Sequence, residues 1–231
     1  MTGDPLLHFH GLVGFNKGLI ERVSAGEKYV GVMLKTGEIG VCSTLNSTID
    51  KGDLEVENPA LGRPAQRILY NAYLNALLNY NIPYEDDKDI FQHIDFSVRE
   101  KVVMIGFFRP LVKKFNESGF DLTIFDYLEK DEVLTPLKEM NSFLATARTV
   151  ILTSTSISNG TMNKVLAHLP PSCDVFLLGP SSILHPDMKR YRKIRKVYGA
   201  VFEPYDHHIL DIISRGNGTR SVLKYGKKVN I

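Results

Sequence analysis

The most chemically distinctive stretch of the sequence is a run of polar residues at positions 153–161. Every residue in this run except Ile157 is serine, threonine, asparagine or glycine. It follows an apolar segment, residues 149–152, that is typical of a buried parallel strand, and it leads into a predicted helix. Backbone N–H groups and the helix dipole favour an anion at such a turn. Capping by Ser158 or Asn159 is the alternative explanation, and it requires no ligand.

Two further loops with unusual residues follow predicted strands. Residues 106–110 follow the apolar run Val102–Ile105, and residues 179–182 follow Asp174–Leu178. In open parallel sheets, ligands bind beyond the carboxyl ends of the strands. Three such loops at one sheet edge predict a cleft for a phosphate, a carboxylate or another polar ligand.

Asp126 is a candidate ligand-binding residue because it ends the next predicted strand, Leu122–Phe125, about twenty residues after Gly106. In dinucleotide-binding folds an acid at that distance binds a ribose hydroxyl. The glycine fingerprint of those folds is missing, because Phe108 and Leu111 stand where glycines would be needed. A strand-end acid that caps a turn is the other interpretation. A nucleotide- or S-adenosylmethionine-dependent enzyme therefore remains the alternative function, and we expect Asp126 not to bind a nicotinamide ribose.

A predicted helix over residues 64–80 is apolar around most of its circumference and carries one polar stripe. The stripe recurs every four positions and consists of Arg63, Arg67, Asn71, Asn75 and Asn79. Asparagine is a mediocre helix former, so three on one line suggest a role other than helix propensity. We predict that Asn71 and Asn75 line a ligand cleft and face Asn159 and Thr161. A solvent-exposed helix face is the alternative.

The order of predicted elements indicates an α/β protein with two domains, residues 1–90 and 91–231. The first fifty residues predict short strands, including a hairpin around Gly37 and a strand that places His8 and His10 on one face. From residue 101 strands and helices alternate, which predicts a parallel sheet covered on both faces. One of those predicted helices covers residues 187–196. A charged, turn-rich linker at residues 84–98 separates the two parts.

Composition excludes several functional classes. The 231 residues are 43% hydrophobic and 23% charged, and the net charge is +2, so there is no strong field for nucleic acid or anionic membranes. No segment has the roughly 18–20 consecutive apolar residues of a membrane span. The two cysteines, Cys42 and Cys173, lack metal-ligand spacing and predict reduced, buried thiols in the cytoplasm. We also predict a homodimer.

Catalytic motifs are absent from the sequence. It contains neither the Gly-x-Ser-x-Gly elbow of hydrolases nor a Walker phosphate loop. His185 follows the third polar loop and is a weak candidate for acid–base chemistry. Catalytic residues and metal ligands are therefore not assigned.

Several segments together resemble the heavy-metal chelation family, a family of unknown function. The segments are VVMIGFFRPLV, ILTSTSISNGTMNKVL, FLLGPSSILHP and the tail SRGNGTRSVLKYGKKVNI, and RPAQRILYNAYLNALL resembles the helix of its first domain. The resemblance implies an N-terminal domain like that of enolase and a Rossmann-like parallel-sheet C-terminal domain. It also implies a site between them for a heavy-metal ion or an anionic, metal-chelating small molecule. By position, the implied site residues are Gly106, Pro110, Thr155, Asn159, Thr161, Gly179, Pro180 and Ser181.

Overall fold

Two sheets and the helices packed on them make up the molecule. A computed structural model describes residues 3–85, 88, 90–93, 101–120, 122–191 and 193–231. Within these residues, one sheet has three antiparallel strands and the other has six, mostly parallel strands. The predicted α/β class is confirmed. Within the same ranges, none of the helices has the length and apolar character needed to cross a membrane.

The N-terminal part contains the three-stranded sheet. Gly37 has φ +99° in the turn between the second and third strands, so the predicted hairpin is confirmed. The elements are α1 (Pro5–Val13), β1 (Ile20–Ala25), β2 (Tyr29–Leu34), β3 (Ile39–Ser43), α2 (Lys51–Leu54) and α3 (Pro64–Leu78).

The strand predicted around His8 and His10 is wrong, because these residues lie on α1. Asp4 caps this helix, accepting hydrogen bonds from the backbone N–H groups of Leu6 and Leu7, and Pro5 occupies its first turn. Residues two positions apart on a helix point in different directions. His8 accordingly contacts Asp187 and His10 contacts Asn58, so the two imidazoles have different partners.

The C-terminal part contains the six-stranded sheet in the order β5-β4-β6-β7-β8-β9, in which only β9 is antiparallel to its neighbour. The strands are β4 (Val102–Ile105), β5 (Leu122–Phe125), β6 (Thr149–Thr153), β7 (Asp174–Leu178), β8 (Ile194–Phe202) and β9 (Gly226–Asn230). The helices are α4 (Ile90–His93), α5 (Arg109–Glu117), α6 (Met140–Leu144), α7 (Thr155–Ser158), α8 (Met162–His168), α9 (His207–Ser214) and α10 (Thr219–Leu223).

The helix predicted over residues 187–196 is wrong. A 3-10 helix spans Pro186–Arg190, and β8 begins at Ile194. Buried Tyr191, Ile194 and Val197 have the three-residue spacing of a helix, but Tyr191 is the C-cap of the 3-10 helix, and pairing with β7 places Ile194 and Val197 in the sheet. Tertiary pairing overrides local periodicity here.

The hydrophobic core is continuous between the two parts of the chain. Tyr70 and Leu74 of α3 belong to the same buried cluster as Leu177 and Ile183 of the C-terminal part. Helix α9 packs on β1 and β2 of the first sheet. Much of the predicted linker, residues 84–98, lies outside the described residues, so the division at residue 90 stays a prediction.

Candidate functional site

The order of strands in the large sheet reverses between β4 and β6. From β4 the chain adds β5 on one side, and all later strands lie on the other side. The carboxyl ends of β4 and β6 are thus separated by a topological switch point, which is where open α/β sheets bind ligands. The loops at residues 106–110 and 154–161 lie at this point, and residues 179–182 follow the neighbouring strand, β7.

Gly106 brings the loop after β4 against the end of β6. It has φ +104°, a conformation that favours glycine. A Cβ atom at this position would lie 2.8 Å from Cβ of Thr153. The hydroxyl oxygens of Thr153 and Thr155 are 3.0 Å apart, and both residues are partly exposed. A hydroxyl pair therefore lies beside a backbone segment that has no room for a side chain.

Gly179 brings the loop after β7 against the same segment. It has φ +138°, and a Cβ atom there would lie 2.6 Å from Oγ of Ser154. The Oγ atoms of Ser154 and Ser156 are buried and have no hydrogen-bond partner in the part of the chain that the structure describes. Buried hydroxyl groups are normally hydrogen-bonded, so these two atoms mark an unusual buried polar layer in the segment that carries the threonine pair.

The polar stripe of α3 forms the other wall of this layer. The side-chain amide of Asn71 donates to the carbonyl of Ser181 at 2.8 Å. Asn75 donates to the carbonyls of Val41, at 2.8 Å, and Pro180, at 3.4 Å. The three asparagines of the stripe are buried, so the alternative of a solvent-exposed face is wrong for them, whereas Arg63 at the start of the stripe is exposed.

The partners of the asparagines differ from the predicted ones. Asn71 and Asn75 were predicted to face Asn159 and Thr161, but they bind the loop at residues 179–182 instead. Their Oδ1 atoms are buried without a hydrogen-bond partner among the described residues. Helix α3 thus adds amide oxygens to the buried polar layer.

Asn159 and Thr161 bind each other. Oδ1 of Asn159 accepts hydrogen bonds from the Thr161 backbone N–H at 3.0 Å and from the Thr161 hydroxyl at 2.7 Å. These contacts are those of a capped turn between α7 and α8, and they favour the capping interpretation. Asn159 is exposed.

Asp126 accepts hydrogen bonds from backbone groups of two loops, the one after β4 and the one after β5. Its carboxylate accepts hydrogen bonds from the N–H groups of Phe107, Leu128 and Glu129 at 2.7–2.9 Å. The geometry favours the turn-capping interpretation over ribose binding. Pro110 lies in the first turn of α5 and is exposed.

Two residues near the buried layer were not predicted as site residues. The Cys42 thiol on β3 lies beside the hydroxyls of Ser158 and Ser181, and burial raises its pKa to about 11 against the weaker opposing effect of those hydroxyls. No residue spacing in the sequence indicated that Cys42 would lie at the site. Asn79 continues the α3 stripe and binds the Ser182 carbonyl and the Leu184 N–H, and the four-residue repeat had marked it.

His185, the weak acid–base candidate, lies away from the threonine pair. Its Nδ1 atom accepts a hydrogen bond from the Asp187 N–H, and its ring packs edge-on against Phe9 of α1. Burial lowers its pKa, and the Asp187 charge opposes that effect. The structure therefore places this imidazole in the contact between α1 and residues 185–191.

Comparison with models of known protein families shows the family to which the chain belongs. Residues 89–231 match the model of the DUF364 family, whose description is "Putative heavy-metal chelation". The chain belongs to this family. Among curated proteins, no relative matches the chain.

Solved structures of the DUF364 family share the fold. A protein of unknown function from Pyrococcus horikoshii superposes with a TM-score of 0.77 at 19% identity, covering 92% of each chain. One from Desulfitobacterium hafniense superposes with a TM-score of 0.78 at 17% identity, covering 100% of this chain and 99% of that one. At these identities the likeness establishes the fold alone.

The donors at the candidate site do not fit a bare heavy-metal ion. Soft metal ions are held by thiolate and imidazole ligands, yet the described ranges contain no group of three His, Cys, Asp or Glu side chains that could hold a metal. Cys42 is buried with a raised pKa, and Cys173 precedes β7 at the end of the strand opposite the loops. Within these ranges, therefore, the structure contains no site of thiolate and imidazole ligands of the kind that heavy-metal chelation would require.

Proposed function

We propose that this DUF364 protein binds a small, oxygen-rich polar molecule at the switch point between β4 and β6. The site lies where the proposed domains, residues 1–90 and 91–231, meet. The observation that carries the proposal is the Thr153–Thr155 hydroxyl pair beside Gly106, at the edge where parallel α/β sheets bind their ligands. The same short segment carries the buried, unpaired hydroxyls of Ser154 and Ser156.

The charges at this sheet edge support a ligand whose own charge is balanced. Arg67 is paired with Asp4 at 2.7 Å. Arg109 is paired with Glu129 at 3.4 Å and with Asp131 at 3.1 Å. Both arginines therefore already have partners, and the groups proposed to contact a ligand are hydroxyls, amides and backbone atoms.

A metal, if one is bound, would enter as part of the ligand. An anionic chelator satisfies the metal with its own oxygen atoms, and its remaining surface suits neutral hydrogen-bonding groups. This interpretation reconciles the description of the DUF364 family with the hard, neutral donors present here. It gives the protein a role in binding or handling a metal chelate rather than a free ion.

Titration calorimetry with nickel(II) citrate, citrate alone and nickel(II) alone tests the proposal. The chelate should bind the wild-type protein, and Thr155→Val should weaken its binding by roughly tenfold, equivalent to about 1.4 kcal/mol, because a hydroxyl contact is lost. Thr146→Val is the matched control, because Thr146 is exposed and follows α6, outside the three loops. Binding of nickel(II) alone as tightly as the chelate, unaffected by Thr155→Val, would rule the proposal out.

A further inference from the structure

Arg67 is the charged member of the α3 stripe that reaches the polar loop. It lies one turn before Asn71, and its side chain is only 12% exposed. Its guanidinium donates to groups from three different segments of the chain. A planar guanidinium has five N–H donors in a fixed arrangement, so it can join several segments at once.

Two of these contacts are to the end of α7. Nε of Arg67 donates to the carbonyl of Ser158 at 2.6 Å, and an Nη2 N–H donates to the carbonyl of Ile157 at 2.9 Å. The last carbonyls of a helix lack intrahelical partners and carry partial negative charge. Arg67 therefore caps the short helix that contains Thr155 and leads into Asn159.

Asp4 completes the arrangement from the start of α1. Its Oδ2 atom accepts from Arg67 at 2.7 Å, while its Oδ1 atom caps α1 through the N–H groups of Leu6 and Leu7. A Cβ atom on Gly160 would lie 3.6 Å from Nη2 of Arg67 and 3.9 Å from Oδ2 of Asp4. The loop between α7 and α8 thus packs directly on this ion pair.

We propose that Arg67 is a positioning residue for the ligand loop, and that Asp4 holds its guanidinium in place. Residues at the start of the chain thereby help to order residues 155–161, although they do not touch the threonine pair. The functional meaning of this role rests on the proposed function, since the loop concerned is the proposed ligand loop. Arg67 also donates from Nη1 to the carbonyl of Leu61 at 3.2 Å. Lysine cannot replace Arg67, because one ammonium group cannot reproduce the planar set of contacts to three carbonyls and a carboxylate.

Amide hydrogen exchange on the ligand-free protein tests this role. The N–H groups of Asn159, Gly160 and Thr161 are hydrogen-bonded within the loop. In Arg67→Lys they should exchange about tenfold faster than in the wild-type protein, the change expected when local opening becomes about 1.4 kcal/mol easier. Exchange of β6 amides should change much less.

Two further variants separate positioning from a general loss of stability. Arg22→Lys is the matched control, because Arg22 pairs with Asp211 at 2.6 Å between β1 and α9, and it should leave the loop amides unchanged. Asp4→Asn keeps the capping group of α1 but removes the counter-ion, and it should accelerate the loop amides selectively.

The proposed role of Arg67 is overturned if the loop amides exchange at wild-type rates in both Arg67→Lys and Asp4→Asn. It is equally overturned if every amide accelerates alike. Because no ligand is present, these outcomes are independent of the proposed function. Failure of the wild-type protein to bind nickel(II) citrate would count against that function and leave the exchange result standing.

Discussion

Replacing Gly40 with alanine should severely destabilise the protein. Gly40 lies on β3 where α3 packs against the sheet, and a Cβ atom there would lie 2.1 Å from the Ala72 carbonyl oxygen and 2.2 Å from the Ala76 nitrogen. Both obstacles are helix backbone, so no side-chain movement relieves the clash. We expect a loss of more than about 4 kcal/mol in the free energy of unfolding, measured by urea denaturation followed by circular dichroism.

Gly62→Ala is the control for this experiment. No atom lies within 4 Å of a Cβ added at Gly62, so the free energy of unfolding of this variant should be within about 0.5 kcal/mol of the wild-type value. A folded Gly40→Ala protein of wild-type stability would mean that α3 does not pack closely on β3. The asparagine stripe would then not be held against the loops.

Asn79→Ala should lower the free energy of unfolding by about 3 kcal/mol, less than the loss expected for Gly40→Ala. The Asn79 side chain is buried, donates to the Ser182 carbonyl at 2.9 Å and accepts from the Leu184 N–H at 2.7 Å. Alanine leaves both backbone groups unpaired, and a buried unpaired group costs about 1–3 kcal/mol. Urea denaturation measures the change.

The control for Asn79 is Asn116→Ala on α5. Asn116 is exposed, and its replacement should change stability by less than about 0.5 kcal/mol. Equal, small effects in the two variants would contradict the hydrogen bonds assigned between α3 and the loop after β7.

The strands of the large sheet could be predicted from the sequence because they are short, continuous apolar runs. The ranges Val102–Ile105, Leu122–Phe125 and Asp174–Leu178 agree with the predicted segments. Fully buried parallel strands have this pattern wherever they occur. The errors arose at α1 and at the start of β8, where the decisive interactions are a capping carboxylate and pairing with a distant strand.

The candidate site was predicted only in part. The loops after β4, β6 and β7 could be located, because Gly106 follows β4, hydroxyl residues end β6 and follow it, and glycine and serine follow β7. The sequence could not show which of them the asparagines of α3 would contact, since packing of α3 on β3 determines that arrangement. The proximity of Cys42 to Ser158 and Ser181 likewise depends on tertiary contacts between residues far apart in the chain.

The hydroxyl and amide groups at the candidate site favour one interpretation of the heavy-metal chelation that the DUF364 description names. Hydroxyl and amide oxygens are poor ligands for soft ions, which thiolates and imidazoles bind much better. A chelate bound through its organic part requires no such residues. The account therefore predicts that metal content, where found, accompanies an organic ligand.

Native mass spectrometry of freshly purified protein, combined with elemental analysis, shows whether the protein binds a metal only together with an organic ligand. We expect the wild-type protein to carry a small organic molecule that is released on denaturation, and any metal to appear in fixed proportion to it. Thr155→Val should carry less of this molecule. A heavy-metal ion bound without any organic component, at equal levels in wild type and Thr155→Val, would contradict the account.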